Sequence, residues 1–586
     1  MRRQYAWRSV FIATLFGVVG LAIVVQMVRL QVSPDISNFR TWVEFNKGWE
    51  ATVYPARGEI YDRRGYLLAG NQTVYEIGVT LDQIENPEYI TETLSRILDM
   101  NYNKLMENMT DVSEGQIYVR LADYVLADDA ETIQKIKADI EEEREGPYVE
   151  GQESLEGLVF DAHLARSYPE KTIAANVIGF VSQEQRGYFG IEEKYNDLLA
   201  GKPVQVWVPA DPNRVEEIPH VPDGTTLILT LDRELQAATE DILDEALYTH
   251  GAQAGTIIVM DPRNGEILSM ASYPRLDLTN YSQYNVLFDN ASEYNRAITL
   301  PYEPGSVFKI LTMAAALDTG TVTPDTAYTD TGVYEIGGAV IHNWNDEAWG
   351  VQDMTGCLQH SLNVCLAKIA VQMGTEDFYN YMIRFGIGHP TGIDLSGEAG
   401  GRLRVPGDAD WYTVDLATNS FGQGVTATPI QIMMAVSAVA NEGTMVTPHL
   451  LYGMVRDNKQ YNFPSQDAGH PISRETALTL SEMLANSMNA EDSAAVLPGY
   501  RLAGKTGTAE IPVDGDYSSA ATNASFIGWG PVDDPQFMVY VWLEQPTSSI
   551  WASQTAAPVF SQVADVTTQI LNIPPDVVRQ QFVSGQ

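Results

Sequence analysis

The chain has 586 residues, of which 45% are hydrophobic and 10% aromatic. At roughly 100–200 residues per domain, this length predicts two to four domains, and the composition excludes a wholly disordered chain. The net charge is −41, from 77 acidic and 36 basic residues. A surface this acidic repels phosphate backbones, which excludes nucleic acid as a partner.

The N-terminus predicts a membrane anchor. Arg2, Arg3 and Arg8 precede an uncharged, largely apolar run over residues 10–28. A helix of that length spans about 28 Å, close to the hydrocarbon thickness of a bilayer. The positive flank predicts a cytoplasmic N-terminus, with the remainder of the chain outside the cytoplasm. A cleaved signal peptide is the alternative, but the run is long for one and no small-x-small cleavage pattern follows it.

The region from about residue 31 to 222 has a mixed and locally acidic composition. Its run Glu141-Glu142-Glu143 is typical of a solvated face, and we assign it no function. The pattern changes near Pro222-Asp223-Gly224, where regular apolar periodicity begins. We therefore expect one domain before this point and another after it.

The second region alternates between strand and helix patterns. The region begins with a predicted strand at 226–230, a helix with Leu235, Ala238, Ile242 and Ala246 at helical spacing, and a hairpin of strands at 256–260 and 266–271. Three helices are predicted next, from Pro304-Gly305 to about Gly320, at 358–373 and at 429–440. The last predicted elements are strands at 503–510, 524–529 and 537–543, and a helix at about 556–571. Early and late strands separated by helices predict an α+β fold, with an antiparallel sheet that joins both ends of the domain.

The two cysteines, Cys357 and Cys365, both fall near the predicted helix at 358–373. Eight residues of helix separate their Cα atoms by about 12 Å, whereas a disulfide needs less than about 7 Å. The helix therefore predicts two small, buried thiols without a bridge between them.

Ser306 and Lys309 form a Ser-x-x-Lys pair at the start of a predicted helix. Residues at i and i+3 share a helix face, so the hydroxyl and the amine can meet. A lysine can activate a serine only when burial or a neighbouring positive charge depresses its pKa. The free N–H groups of a helix start suit a developing oxyanion. Alone the pair is weak evidence, because it occurs by chance about once or twice in a chain this long.

A second motif is Ser361-Leu362-Asn363, whose hydroxyl and amide could relay a proton and bind a substrate amide. The same Ser-x-Asn pattern recurs at Ser487-Met488-Asn489, so this motif is also weak by itself.

The third motif, Lys505-Thr506-Gly507-Thr508, lies in a predicted strand. Alternation puts Lys505 and Gly507 on one face, with Thr506 and Thr508 on the other. A glycine inside a strand often marks the close approach of another backbone or a ligand. An exposed strand edge could also pair with a peptide substrate.

The order of the three motifs is more specific than any one of them. Their first residues are 361 − 306 = 55 and 505 − 361 = 144 positions apart, and this ordered set is the signature of the penicillin-binding and serine β-lactamase group. From about residue 50 to 571, the chain resembles a class B penicillin-binding protein, a monofunctional peptidoglycan D,D-transpeptidase. Further matching motifs are the segment from Pro55 to Gly65, Arg166-Ser167-Tyr168-Pro169, Gly190-Ile191-Glu192, Asp223-Gly224, Leu229-Thr230, Gln236, Phe421-Gly422-Gln423-Gly424, Thr428-Pro429 and Gln431. This context rejects the Ser487 motif, which lies too near the Lys-Thr-Gly strand.

The resemblance implies a transpeptidase domain of the penicillin-binding and serine β-lactamase type, with helices flanking an antiparallel sheet, on an elongated mixed pedestal. The implied boundaries are a cytoplasmic tail at 1–9, a transmembrane anchor at 10–28, an extracytoplasmic pedestal of the dimerisation type at 29–222, the transpeptidase domain at 223–575 and a C-terminal tail at 576–586. The protein would be a single-pass membrane protein with its catalytic domain outside the cytoplasm.

The resemblance also implies a mechanism. Ser306 would attack the penultimate D-Ala carbonyl of a stem peptide, and Lys309 would accept its proton. Ser361 would help to pass that proton to the departing D-Ala. An amine from a second stem would then resolve the acyl-enzyme, and β-lactams would be trapped on Ser306. No metal or other cofactor is expected.

The other motif residues would bind the substrate. Asn363 would hold its amide, and Lys505 would lower the Lys309 pKa and attract the terminal carboxylate. Thr506 and Thr508, on either side of Gly507, could bind that carboxylate or the strand-like peptide. The N–H groups of Ser306 and Thr508 would form the oxyanion hole.

Two other functions remain open from the sequence. A β-lactamase would need a base for deacylation, and Glu398 is in a plausible region but within a segment that looks like family packing. A β-lactam sensor or a scaffold for wall synthesis would need no turnover. Since no glycosyltransferase motif lies in 31–222, glycan polymerisation would need a partner, and the family typically pairs with a SEDS-type glycosyltransferase. His342 and His360 are interpreted as structural.

Overall fold

A computed structural model describes residues 2–32, 48–113, 115–209, 221–488, 493–513 and 516–584. The N-terminal helix Arg2–Val32 contains the apolar stretch Trp7–Arg29, with a mean hydropathy of 2.4. Its side chains from Trp7 to Arg29 are exposed to the surroundings. Within those described ranges, this is the one helix long and apolar enough to cross a membrane. The predicted helix and its apolar span are therefore confirmed, whereas its orientation stays a prediction.

The chain divides into two compact units. The first comprises Met1–Ala56 and Gly201–Asp223, and contains an antiparallel pair of strands, Gly48–Val53 and Val204–Pro209. The second comprises Arg57–Ala200 and Gly224–Gln586, and contains both large sheets.

The first large sheet of the second unit combines strands from early and late parts of the chain. Its strands in spatial order are Lys459–Asn462, Leu451–Arg456, Thr226–Leu229, Ile60–Tyr61, Leu67–Thr80 and Tyr118–Leu126, with Leu158–Ser167 also paired to Leu67–Thr80. The helices Pro87–Leu98, Tyr102–Thr110 and Ala127–Glu143 bury Leu94, Leu105 and Ile133 in one core with Ile77 of the sheet. The three glutamates at 141–143 are exposed at the end of their helix, which confirms the predicted solvated face.

The second large sheet is antiparallel and carries the site described below. Its strands in spatial order are Ile267–Tyr273, Ala254–Met260, Phe537–Glu544, Asp516–Gly530 and Ala503–Val513. The early hairpin therefore pairs with the late strands, which confirms the predicted sheet that joins both ends of the domain.

Alternate residues of the central strands enter different cores, because neighbouring side chains of a strand point to opposite faces. Ile257 and Val541 pack with the helices Arg233–His250 and Ala556–Ile570 on one face. Met260 and Tyr540 belong to the core of the other face. That core contains the helices Lys309–Asp318 and Pro429–Ala440.

Further helices and short paired strands belong to the second unit. They are the helices Ala175–Ile178, Gly190–Lys194, Asn196–Ala200, Tyr284–Leu287, Arg296–Thr299, Thr375–Arg384, Thr413–Asn419, Arg474–Met488 and Asp576–Ser584, and the paired strands Phe180–Val181 with Gly187–Tyr188, Tyr328–Asp330 with Gly350–Gln352, Val333–Ile336 with Ala339–His342, and Met445–Val446 with Asp467–Gly469. In the segment that we assigned to a C-terminal tail, Asp576 accepts a hydrogen bond from the Arg501 backbone N–H at 2.7 Å.

The single helix expected at 358–373 is wrong. One helix, Met354–Gln359, ends before His360, and a second, Asn363–Met373, begins after Leu362. Ser361 lies in the break with a positive φ of 52°, which is outside the right-handed helical region. The break brings Cys357 and Cys365 to a Cα separation of 6.2 Å, and they form a disulfide. The prediction of two unbridged thiols fails because it assumed an unbroken helix.

A buried ion cluster lies in the N-terminal part of the second unit. Glu192 is fully buried and accepts hydrogen bonds from Arg57 Nε at 2.7 Å and Arg166 Nε at 2.6 Å. The Arg57 and Arg166 side chains are 4% and 3% exposed. These three residues belong to motifs that are separate in sequence, so the ion cluster connects the segments that contain the motifs.

Replacing Glu192 by glutamine should destabilise the protein by about 3–5 kcal/mol, because two buried guanidinium groups would lose their counter-charge. Thermal unfolding of the purified full-length protein in detergent measures this loss. The exposed Glu142 provides the control, since Glu142→Gln should change stability by about 0.5 kcal/mol or less. Equal transitions for Glu192→Gln and the unmodified protein would contradict a structural role for the cluster.

Candidate active site

The segment before Ser306 is shaped by a glycine. Gly305 has a φ of 57°, and a Cβ there would lie 2.9 Å from Thr508 O. Its N–H donates to Gly422 O at 3.1 Å. Ser306 then lies in a 3-10 turn, Gly305–Phe308, which continues into the helix Lys309–Asp318. The predicted helix start is confirmed, although its first turn is tighter than an α-helix.

Ser361 is presented by the break between two helices. Its N–H donates to Leu358 O at 3.1 Å, and the N–H of Leu362 donates to Cys357 O at 3.0 Å. The disulfide joins the helix before the break to the helix after it. This local structure explains how a serine two residues before Asn363 can point away from the helix surface.

The three motifs meet at the Ser361 hydroxyl. Ser361 Oγ lies 3.0 Å from Ser306 Oγ, 3.1 Å from Lys309 Nζ and 3.0 Å from Lys505 Nζ. The structure thus brings together two serine hydroxyls and two lysine amines from segments that are 55 and 144 residues apart. The hydrogen-bond path from Ser306 to Lys309 passes through Ser361.

Lys309 is fully buried, and its amine is held by carbonyl oxygens. Nζ donates to Ser361 O at 2.6 Å and to Asn363 Oδ1 at 2.7 Å. Burial, and then the positive charge of Lys505, hold the Lys309 pKa well below its usual range. A neutral amine has two N–H donors and one lone pair. When the two N–H groups donate to the two carbonyl oxygens, the lone pair can accept a hydrogen bond from the Ser361 hydroxyl.

Lys505 is the second buried cation of the site. Burial lowers its pKa to about 7. Its amine also donates to Thr506 O at 3.2 Å and to Thr506 Oγ1 at 3.3 Å. Near neutral pH it can therefore supply positive charge to the site.

The Lys-Thr-Gly segment has the predicted alternation. Lys505 and Gly507 are buried, whereas Thr506 and Thr508 are half-buried. A Cβ on Gly507 would lie 3.0 Å from Pro304 O and 2.9 Å from Val307. The expectation that this glycine marks a close approach is confirmed, and the approaching segment is the turn that carries Ser306.

The backbone N–H and C=O of Thr508 face the turn that carries Ser306. Within a strand, the N–H and C=O of one residue point to the same side. Thr508 O faces Gly305, so the Thr508 N–H also faces the Ser306 turn. The strand Ala503–Val513 is the last of its sheet, which leaves this edge available. The Thr508 side chain is held by the Ala552 N–H, which donates to its Oγ1 at 3.2 Å.

Both histidines near the site have other partners. His342 lies 3.3 Å from Asp346, and the His360 ring stacks on Trp349 with centroids 4.1 Å apart. Burial lowers the pKa of His360. These contacts agree with the structural interpretation of both residues. Among the residues that the structure describes, no three His, Cys, Asp or Glu side chains converge to hold a metal ion.

Two other sequence candidates lie in different surroundings. Glu398 accepts hydrogen bonds from the Thr391 N–H and hydroxyl, both at 2.6 Å, and from the Gly392 N–H at 3.0 Å. Its carboxylate therefore holds its own loop, as expected from family packing. Ser487 lies in the helix Arg474–Met488, and Asn489 of that motif is outside the described residues.

Sequence reasoning missed an aromatic contact at the site. The Trp344 indole N–H donates to His360 O at 3.0 Å, next to Ser361. Its ring meets Trp551 edge-on at a centroid distance of 5.0 Å, and Trp551 precedes the residue that binds Thr508. Both tryptophans lie in loops without apolar periodicity, so no sequence signal indicated their pairing.

The antiparallel sheet, the flanking helices and the three motifs at their junction define the penicillin-binding and serine β-lactamase class of fold. The family model of the penicillin binding protein transpeptidase domain matches residues 255–565, and that of the penicillin-binding protein dimerisation domain matches residues 52–220. The chain belongs to the penicillin-binding proteins, and within them to the class B transpeptidases.

Similar proteins include stage V sporulation protein D of Bacillus subtilis (strain 168), at 32% identity over 89% of this chain and 79% of that protein. The peptidoglycan D,D-transpeptidase MrdA of Acinetobacter baumannii is 27% identical over 94% of this chain and 88% of its own length. The crystal structure of penicillin binding protein 2X from Streptococcus thermophilus has the same fold, with a TM-score of 0.73, 21% identity, and coverage of 90% of this chain and 80% of that one.

Proposed function

We propose that this protein is a peptidoglycan D,D-transpeptidase, which crosslinks stem peptides through an acyl-enzyme at Ser306 and binds penicillin by the same chemistry. The observation that carries the proposal is the Ser361 hydroxyl within about 3 Å of Ser306 and of both lysine amines. Membership of the family supports the reaction class, and the relatives named as peptidoglycan D,D-transpeptidases support the substrate.

In the acylation step, Ser306 Oγ attacks the carbonyl carbon of the penultimate D-Ala. The Ser306 proton passes to the Ser361 hydroxyl, which releases its own proton to the Lys309 lone pair. The backbone N–H groups of Ser306 and Thr508 stabilise the oxyanion. When the C–N bond breaks, the departing D-Ala takes a proton back through Ser361. A neutral Lys309 is therefore required at the start.

The remaining motif residues position the substrate. Lys505 supplies positive charge for the terminal carboxylate, and the hydroxyls of Thr506 and Thr508 bind it. Asn363 holds Lys309 through Oδ1, and its Nδ2 donates to His342 O at 3.1 Å. To bind a substrate amide, Asn363 would exchange that carbonyl for the substrate.

The free strand edge suits a peptide substrate. Ala503–Val513 has a neighbour on one side only within its sheet, so an extended stem peptide can add as a further strand. The acceptor amine then attacks the ester carbonyl, transfers a proton through the same lysine and serine groups, and releases Ser306. A new peptide bond between two stems is the product.

We place this reaction outside the cytoplasm, on a protein held by its N-terminal helix. A disulfide beside the site supports an oxidising compartment. The division into a pedestal at 29–222 and a transpeptidase domain at 223–575 is supported by the two family models. A SEDS-type glycosyltransferase, bound through the anchor and the pedestal, would supply the glycan strands.

Penicillin should acylate one site per chain and then leave slowly. We expect a burst of one equivalent, followed by release far slower than the about 1–10³ s⁻¹ of typical enzyme turnover. Labelling with a fluorescent penicillin measures both phases. The Glu398→Gln variant is the control, because Glu398 holds its own loop and should not affect release. Rapid hydrolysis that is lost in Glu398→Gln would identify a β-lactamase instead.

A further inference from the structure

Three buried hydroxyl groups lie beneath the Lys-Thr-Gly strand and have no part in the mechanism above. They belong to Tyr302, Ser525 and Tyr540, which are 8%, 1% and 0% exposed. Tyr302 belongs to the segment that leads to Ser306, whereas Ser525 and Tyr540 belong to neighbouring strands of the sheet. The cluster therefore connects the two parts of the structure that supply the oxyanion hole.

The three hydroxyls lie next to one another. Tyr302 and Tyr540 share one hydrogen bond, and the Ser525 hydroxyl lies within reach of both phenol oxygens. Burial raises the Tyr302 pKa to about 12, so this phenol keeps its proton near neutral pH. The Tyr302 ring is fixed by stacking on Trp542, with centroids 4.7 Å apart.

The cluster reaches the active site through one peptide group. Ser525 Oγ donates to Gly507 O at 3.4 Å, and it fills the space where a Gly507 Cβ would lie, 2.4 Å from such an atom. The Gly507 carbonyl and the Thr508 N–H belong to the same planar peptide and point in opposite directions. One faces Ser525, and the other faces the Ser306 turn.

We propose that Ser525, Tyr540 and Tyr302 are positioning residues that orient and strengthen the Thr508 N–H as an oxyanion donor. A hydrogen bond to the carbonyl of a peptide polarises it and makes its N–H a better donor, and linked hydroxyls reinforce the effect. Ser525 also limits rotation of that peptide, because its oxygen lies against the Gly507 α-carbon. The inference rests on the proposed acyl-enzyme at Ser306.

The test measures non-covalent binding of penicillin and its acylation rate separately in the variants Tyr540→Phe and Ser525→Ala. Each removes one hydroxyl. Removing an oxyanion donor outright costs about 10²–10³-fold in rate, so weakening it should lower the acylation rate constant for penicillin by about tenfold. The dissociation constant of the non-covalent complex should stay within about twofold, because the oxyanion forms only after binding.

The infrared spectrum of the acyl-enzyme gives a second readout that a purely structural role would not move. With a ¹³C-labelled β-lactam carbonyl, difference spectra of each variant and the unmodified protein isolate the ester band. Weaker hydrogen bonding in the oxyanion hole should move this band to higher frequency in both variants. The size of the shift should follow the loss in acylation rate.

Tyr294→Phe is the matched control. Its hydroxyl is buried and donates to Ala175 O at 2.8 Å, away from the three motifs, so its acylation rate and ester band should not change. Unchanged rate and band in Tyr540→Phe would overturn the inference, even if Ser525→Ala failed to fold. An equal change in Tyr294→Phe would also overturn it. If the unmodified protein formed no adduct at Ser306, the proposed function itself would fail, which is a separate result.

Discussion

Replacing Ser306 by alanine should abolish covalent labelling by penicillin, with a loss of about 10⁴-fold or more in the acylation rate. Alanine removes the attacking oxygen but adds no volume, and Ser306 lies at the surface of a turn that is fixed by Gly305 and Gly422. The fold should therefore be retained. Intact-protein mass spectrometry after exposure to penicillin measures the result as a missing mass increase.

The control for this variant is Ser487→Ala, which changes a serine of the second Ser-x-Asn pattern in the helix Arg474–Met488. It should be labelled as fast as the unmodified protein. A Ser306→Ala protein that still gained one equivalent of penicillin would show that another group is the nucleophile.

Replacing Lys309 by methionine should lower the acylation rate by about 10²–10⁴-fold, the usual contribution of a general base. Methionine has a similar length and packs well in an apolar environment, so the change removes mainly the amine. Stopped-flow labelling should show the loss in the rate constant for acylation. Lys368→Met is the matched control, because Lys368 lies over the Tyr328 ring at 5.2 Å and has no role in the proposed reaction.

The pH dependence of the unmodified protein follows from the same two lysines. Lys309 must be neutral, so acylation should fall as the pH drops through its depressed pKa and the amine takes up a proton. Lys505 must be charged, so acylation of an anionic β-lactam should also fall as the pH rises through about 7. Rates that stay constant across this range would contradict the assigned protonation states.

Most strands of the second large sheet, and the helices that flank it, could be predicted from local sequence patterns. The hairpin around Pro262-Arg263-Asn264-Gly265 and the helix Pro429–Ala440 have strong local signals, with a turn sequence in the first and a Thr428 capping box in the second. The pairing of the early hairpin with the late strands was predicted from the α+β pattern, whereas the early strand Thr226–Leu229 lies in the other large sheet.

The break at Ser361 could not be predicted in the same way. The residues from His360 to Leu362 include no glycine or proline, and the apolar spacing on both sides fits one helix. A positive φ at a serine is unfavourable locally, and tertiary contacts maintain it here. One of these is the disulfide between Cys357 and Cys365, whose pairing only the broken helix allows. A wrong helix therefore led to a wrong conclusion about the cysteines.

The motif residues of the site were accessible to sequence reasoning, because their order is specific even where each motif is weak. The central position of Ser361 was not accessible, since it depends on distances between segments. The hydroxyl cluster was also missed. Tyr302, Ser525 and Tyr540 each lie in a mainly apolar stretch, and their partners are distant in sequence or on a neighbouring strand.

Peptide mapping of the penicillin adduct tests the central claim most directly, because that claim is that the groups around Ser361 activate the neighbouring Ser306 hydroxyl. After brief exposure of the full-length protein to penicillin, digestion and tandem mass spectrometry, we expect a single modified peptide with the adduct on Ser306. An adduct on Ser361, Ser487 or any other residue, with Ser306 unmodified, would contradict the account.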